Sequence, residues 1–587
     1  MLLQFTSCLF LILSVTSQEC NTFIDTLIAK RTPPQTQLTQ LETAYVTFSG
    51  MKGEYDLGER KKCDAAEGTK YLVLRAIKGD LSGAFTQSES GVCLPKYCMK
   101  EYDGLENDQV FLQKLATLNS WKTTEELNLY DPDASPSKGP LFYAFALVNV
   151  LLVLACCIGT YRARENNNFW KSFDVVETLR SLSQTSKECG QDDKLSTFGF
   201  LRFFGAAWVI CIHITRIPSR TISPFDIDNS AFVNFINTGA LAVGFFFFMG
   251  GFLSAYTIIG KISKTGVGIK VYFSHIYHRL IRVYPLTMAS LFFYWVGVSS
   301  LINGAAMGRY VGQVAKCDDL WWRHMLLIYN FSGVADPTCA SHLWYIDVDF
   351  QAYFMLVVVI FLYAQGKLKL AYFTTFGLIV QSTILSYLRS RNLWGNPSEW
   401  YPSTPCRWNE IFIGVIFAFQ YYEFKKLKAK RNFFTFCENI PLLRSALILV
   451  GLILIASPVL AGNRDPLIRT PFSLGVAFIF MPLATAATSL VRAFLNLRIF
   501  QILGKLSFGV YLFHWPVLML VVMTADELPE HITLSTVVGR WMKVFVIASI
   551  ISLVYHVILE KPLINLEAYN SKQRSKRLPL HVSLTTL

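Results

Sequence analysis

Leu201 to Arg216, LRFFGAAWVICIHITR, is an apolar helix candidate with an arginine at its start and a histidine eleven residues on. At about 100° per residue, eleven steps return to within about 20° of the starting face, so Arg202 and His213 share one stripe, roughly 16 Å apart along the axis. That stripe suits a membrane span joining a site near one surface to a site deep inside.

The composition agrees. Of 587 residues, 52% are hydrophobic and 16% charged, with 46 phenylalanines and a mean hydropathy of +0.36. A soluble domain carries about a quarter charged residues, so an integral membrane protein is expected. The net charge of +13 does not point to nucleic acid, because the basic residues cluster between apolar runs, as the positive-inside rule requires.

Outward from the opening helix, residues 2–16, LLQFTSCLFLILSVT, form the apolar core of a signal segment, with cleavage expected before Gln18. Residues 18–138 are polar and hold Cys20, Cys63, Cys93 and Cys98. In an oxidising compartment these make two disulfides, and the spacing leaves all three connectivities open. YLVLRAI suggests a strand, FIDTLIAK and NDQVFLQKLATLNSW suggest helices, and PDASPSKGP a linker.

A first span is expected at 140–160, then a cytosolic linker to 194. Cys156 and Cys157 at its inner end are either packing residues or palmitoylation sites. With the opening helix, further apolar runs at 231–259, 284–303, 343–364, 371–388, 409–424, 445–461, 471–490, 506–525 and 540–559 bring the spans to eleven. The expected fold is therefore mostly α: a helical bundle over 195–566, preceded by a small disulfide-bonded domain and followed by a basic tail, 567–587. KISKTGVGIK, GKLKL, KKLKAKR, VRAFLNLR and SKQRSKR all fall on one side. That side is cytosolic, which puts the amino terminus in the lumen or outside the cell and implies the endoplasmic reticulum or plasma membrane. On the opposite side Cys317 and Cys339 are close enough in sequence to pair, Asn330-Phe331-Ser332 is a glycosylation sequon, and Cys406 is left over.

No metal spacing, P-loop, GxGxxG or GxSxG is present. The chemistry must come from ionisable groups in the spans: Arg202 and His213; Arg279 and Arg282 at the entrance of the fourth; His342, Asp347 and Asp349 opening the fifth; Arg407 and Glu410 opening the seventh; and His514 in the tenth. Singly each has a structural explanation. Together, basic groups at one edge suit an anionic donor, and histidines and carboxylates deeper in suit proton transfer.

These motifs carry a resemblance. Arg202-x(10)-His213, Arg279-x-x-Arg282-x-Tyr284-Pro285, HLWYIDVDFQ, Arg407-x-x-Glu410-x-x-x-Gly414 and GKLSFGVYLFHWPV together resemble the acyltransferase-3 membrane proteins. The cysteine-containing domain before the bundle is similar to the animal "nose resistant to fluoxetine", or O-acyltransferase-like, branch. The resemblance implies transfer of an acyl group from cytosolic acyl-CoA, without a metal, to a hydroxyl acceptor such as a lipid or glycan. His213 is then the catalytic base, Arg202 its partner and Glu410 an acidic partner, with Arg279, Arg282 and Tyr284 near the donor. No serine or cysteine stands beside His213 on its own helix face, which favours direct transfer over an acyl-enzyme.

Two other readings compete. In a lipid or small-molecule transporter the same charges line a path, and Gly244, Gly250 and Gly251 in GFFFFMGGFL permit either close packing or an unwound helix. In a receptor-like module the membrane part is silent, and the tail Thr585-Thr586-Leu587 has the form that PDZ domains bind by strand addition.

Overall fold

The computed structural model describes residues 20–30, 40–49, 58–79, 85–101, 109–118, 127–131, 138–165, 169–185, 188, 195–215, 230–302, 307–331, 339–394, 401–463, 465–485, 490–524 and 533–577. The signal segment, most of the 132–140 linker and the tail tripeptide lie outside these residues.

The amino-terminal domain is built on a three-stranded antiparallel sheet of order β2-β1-β3: β1 Thr69–Gly79, β2 Phe85–Pro95 and β3 Leu127–Tyr130. Both faces of β1 are covered. Tyr71 and Val73 pack on one side and Leu72 and Leu74 on the other, all at most 1% exposed, which explains an unbroken apolar run where one buried face would have given alternation. Helices 20–30 and Gln109–Leu118 pack on the Leu72 side. Cys20 pairs with Cys98 and Cys63 with Cys93, so the connectivity left open by spacing is settled.

The membrane unit contains α1 Pro140–Arg162, a short linker helix α2 Val175–Ser183, then α3 Phe198–Thr215, α4 Val243–Thr265 and α5 Ile269–Phe292. There follow α6 Met307–Met325, α7 Trp344–Ala364, α8 Leu368–Ser390, α9 Trp408–Lys425 and α10 Pro441–Leu460. Then come α11 Arg469–Leu483, α12 Arg498–Met523 and α13 Leu534–Tyr555, which a π-helical turn continues into a helix Lys561–Arg577. Among the described residues ten helices are long and apolar enough to cross a membrane. The expected span at 409–424 exists as α9, but Glu410, Glu423 and Lys425 make it less apolar than the ten.

Several boundaries differ from the sequence expectation, among them the end of the ninth span, the start of the tenth and the end of the last, and two of the differences bear on the site. The fourth span begins at Ile269 and not near 284, so Arg279 and Arg282 lie about three and three and a half turns inside it and not at its entrance. The 231–259 run is broken into a helix Ser230–Asn237, a 3-10 turn Gly239–Ala242 and α4.

Helix α4 is continuous through Gly244, Gly250 and Gly251, so these glycines serve packing and not unwinding. A Cβ on Gly251 would stand 2.1 Å from the Ile411 carbonyl oxygen, and one on Gly414 2.2 Å from that of Phe248. Helices α4 and α9 therefore touch backbone to backbone, a contact only glycine permits. On the far side of the bundle Cys317 and Cys339 are bonded, pinning α6 to the segment before α7. Cys156 packs its thiol against the carbonyls of Val557 and Ile558, 3.8 Å from each, while Cys157 is exposed. Asn330 is 7% exposed and its amide donates to Gln351, the Pro402 carbonyl and Thr404, so the sequon asparagine is engaged in the fold and not presented to solvent.

Candidate active site

The stripe on α3 is real: one uninterrupted helix carries Arg202 and His213. What the stripe meets is α12. His213 Nδ1 lies 2.7 Å from His514 Nε2, and the two rings stack at 4.9 Å with 6° between their planes. Trp515 closes one side, edge-on to His213 at 5.2 Å.

The proton positions follow from the partners. His514 Nδ1 faces the Tyr511 carbonyl, which can only accept, so Nδ1 carries the hydrogen and a neutral His514 offers Nε2 as an acceptor. His213 must then donate from Nδ1, and its Nε2 bears the lone pair. A chain from backbone carbonyl through two imidazoles thus fixes one tautomer of His213, the one with a basic outer nitrogen.

Pro516 explains why α12 can build this. Proline has no N–H, so the carbonyl four residues earlier, Leu512, loses its helical donor. Side chains take it over: His342 Nε2 donates to it at 2.9 Å and Ser290 Oγ at 2.8 Å. His342 stands edge-on to His514, with centroids 5.7 Å apart, and Tyr511 donates its hydroxyl to the His342 carbonyl at 2.5 Å. Helices α3, α5 and α12 and the 3-10 turn Ser341–Leu343 that leads into α7 converge on these few residues.

Toward the basic side the arginines divide. Arg279 forms an ion pair with Asp349 of α7 and lies over the Tyr353 ring at 5.1 Å. Among the described residues no carboxylate comes within ion-pair distance of Arg202 or Arg282, and Arg282 is exposed. Arg202 and Arg282 are thus without a carboxylate partner among the described residues, and guanidinium groups of that kind suit a multivalent anion. Tyr284, two residues beyond Arg282 and about 200° round the helix, makes no hydrogen bond to either arginine.

Glu410 is fully buried between two arginines, 3.2 Å from Arg407 and 3.4 Å from Arg469. Arg407 is sandwiched by Tyr401 and Trp344, at 4.3 and 5.0 Å. Both carboxylate oxygens of Glu410 are thus engaged by guanidinium groups, so this acid belongs to a cation-rich triad distinct from the histidine pair. Cys211 is half-buried and two residues from His213, which places it on another face of α3.

Sequence spacing missed His514 as the partner of His213, together with Arg469, Tyr511 and Ser290. The HWP signal was visible, and the carbonyl that its proline frees was the clue. Beyond the site, His324 stacks on Tyr329 at 4.1 Å and faces Asp347 at 4.0 Å. Burial pushes the His324 imidazole down to about 4, although donation to the Cys339 carbonyl at 2.7 Å acts in the opposite direction. Among the described residues no group of three His, Cys, Asp or Glu side chains comes together to hold a metal ion.

Residues 197–558 match the family model described as an acyltransferase domain. Three curated proteins are similar. "Nose resistant to fluoxetine protein 6" of Caenorhabditis elegans is 20% identical over 461 residues, 69% of this chain and 55% of that protein. "Regulator of hypoxia-inducible factor 1" of the same organism is 23% identical over 460 residues, 67% of this chain and 86% of that one. "Putative peptidoglycan O-acetyltransferase YrhL" of Bacillus subtilis (strain 168) is 24% identical over 348 residues, 56% of this chain and 51% of that protein. The chain thus spans about half the length of the first and third. No solved structure matches.

Proposed function

The chain belongs to the acyltransferase-3 family, and from that premise we propose that it is an O-acyltransferase taking its acyl group from acyl-CoA, with His213 as general base. The observation that carries this is the relay Tyr511 carbonyl, His514, His213, which puts the lone pair on His213 Nε2.

In the proposed step the acceptor hydroxyl gives its proton to His213 Nε2 while its oxygen bonds to the thioester carbonyl carbon. The carbon–sulfur bond then breaks, and the imidazolium returns the proton to the departing thiolate. No acyl-enzyme is needed, since the only thiol near His213 on its helix, Cys211, faces elsewhere. Arg202 and Arg282 take the donor's phosphates. Arg202 stands roughly 16 Å from His213 along α3, a span that an extended pantetheine arm covers.

The donor enters in this reading from the face of the bundle with the basic connections, which is cytosolic, and the disulfide-bonded domain lies in the lumen or outside the cell. The acceptor approaches from that second side. Its chemistry is a hydroxyl on a lipid, a glycan or another molecule; the similar bacterial protein is named for peptidoglycan.

Purified protein in nanodiscs should consume labelled acyl-CoA, and His213→Ala should abolish this while retaining the wild-type melting temperature. Turnover at the wild-type rate in His213→Ala would remove His213 from the chemistry. Acceptor-independent lipid flux in liposomes without any acyl donor would replace the enzyme reading with transport.

A further inference from the structure

Helix α8 is packed on one side by α7 and α9 and presents its other side outward. Most of that side is what a lipid-facing surface needs: Phe373, Phe376 and Ile384 are 75%, 60% and 53% exposed. Two residues one turn apart do not fit a lipid-facing role.

The first is Gly377. Within the spans, Gly251, Gly414, Gly451 and Gly504 each sit against a neighbouring helix so closely that a Cβ would come within 3 Å of a backbone atom. Gly377, like Gly260 in α4 and Gly539 in α13, instead has nothing within 4 Å of its Cβ position, and of these three it is the one that lines a groove. It makes a notch that no described part of this chain fills, at a helix-propensity cost of about 1 kcal/mol relative to alanine.

The second is Gln381, exposed on the same face. It is the fourteenth of the 23 residues of α8, about 3 Å past the midpoint, where hydrocarbon offers an amide no hydrogen bond. Gly377 and Gln381 both line a groove of about 520 Å³ with Phe376, Val380, Ile384 and Trp394.

We propose that a second copy of this chain occupies this face, with α8 packing against α8 of its partner about a two-fold axis near Gln381. An isologous contact must be self-complementary, and a primary amide is so: its NH₂ donates and its carbonyl accepts, so two glutamines across a two-fold axis satisfy one another. Gly377 lets the backbones approach, and the groove receives the aromatic and branched side chains that project from the same face. A lipid acyl tail would fill the groove and leave the amide unsatisfied, which is why a second copy is the better occupant. Small and polar residues one turn apart are the pattern by which membrane helices associate.

The proposal stands apart from the acyltransferase reading, since neither residue touches the His213 site. Fluorescently labelled full-length protein is reconstituted in liposomes at decreasing protein-to-lipid ratio, and subunits are counted by single-molecule photobleaching. Wild type should pass from dimer to monomer on dilution. Gln381→Leu and Gly377→Leu should each weaken association about three- to twentyfold, with unchanged acyl-CoA turnover per chain. In a Cys157→Ser background Ile384→Cys should cross-link in the membrane, whereas Leu449→Cys, 60% exposed on α10, should not. Monomers at every density, or cross-linking at 449 and not at 384, would overturn the proposal. So would a Gln381→Leu protein that keeps its dimer and loses a co-purifying hydroxyl lipid, because that would assign the groove to the lipid.

Discussion

His213 and His514, 301 residues apart in sequence, share a hydrogen bond of 2.7 Å between stacked rings. The contact holds His213 in one tautomer, and in the proposed mechanism His514 is therefore a positioning residue. Replacing it by leucine removes the acceptor for His213 Nδ1. Turnover of labelled acyl-CoA should fall about 10²- to 10⁴-fold, the range that base catalysis contributes. Glutamine, whose amide oxygen can still accept, should recover part of the loss. Equal rates for the leucine and glutamine variants would show that orientation by hydrogen bonding is not its role.

Arg279 and Arg282 are three residues apart on α5, and only the first has a carboxylate partner among the described residues. Arg279 is committed to Asp349, with side chains 18% and 10% exposed, and breaking a pair so buried costs about 3–5 kcal/mol. Arg279→Met should therefore lower the melting temperature, and Asp349→Leu added to it should restore much of the loss. Arg282→Ala should leave the melting temperature within a degree or two and raise the KM for acyl-CoA. A destabilised Arg282→Ala with an unchanged KM would reverse the assignment.

Much of this was legible in the chain. Apolar runs of span length located the bundle, because the bilayer imposes a length that a sequence must write out. The eleven-residue spacing on α3 predicted its stripe for the same reason: helical geometry is local. Partners across helices were not legible. His213 finds His514, Arg279 finds Asp349 and Glu410 finds Arg469 only when four or five helices converge, and no spacing within one helix encodes that. Gly251 hinted at a close approach, but its counterpart Gly414 and the pairing of α4 with α9 required the fold. The strand β2, FTQSESGVCLP, has too little apolar alternation to announce itself and is defined by pairing with β1 from Thr69↔Pro95 onward.

Glu410 tests the difference between catalysis and architecture. Its carboxylate supplies the negative charge between two buried guanidinium groups, and Glu410→Gln removes that charge from between Arg407 and Arg469. The expected loss is about 3 kcal/mol or more of stability, read as a lower melting temperature and less protein reaching the membrane. The fraction that folds should turn over acyl-CoA at a rate within a few-fold of wild type. A fully folded Glu410→Gln protein with no turnover would instead return this residue to the proton-transfer step.

His324 gives the fold a pH dependence whose sign can be worked out. In the folded chain burial holds the imidazole down to about 4, whereas in the unfolded chain it titrates at about 6.5. Between those values the unfolded state binds the extra proton, so stability rises with pH through this window and is lost as pH falls from about 6.5 to 4. About 3 kcal/mol is the most at stake, because a tenfold difference in proton affinity is worth about 1.4 kcal/mol. The Cys317–Cys339 bridge holds the Cys339 carbonyl that accepts from His324, so the imidazole cannot swing out to be protonated without disturbing this hairpin. Melting temperatures of wild type at pH 7.0, 6.0 and 5.0 should fall steadily. His324→Phe should be less stable at pH 7.0, having left that carbonyl without its donor, yet should show a shallower slope. Parallel slopes for the two proteins would mean that His324 is not the group that titrates.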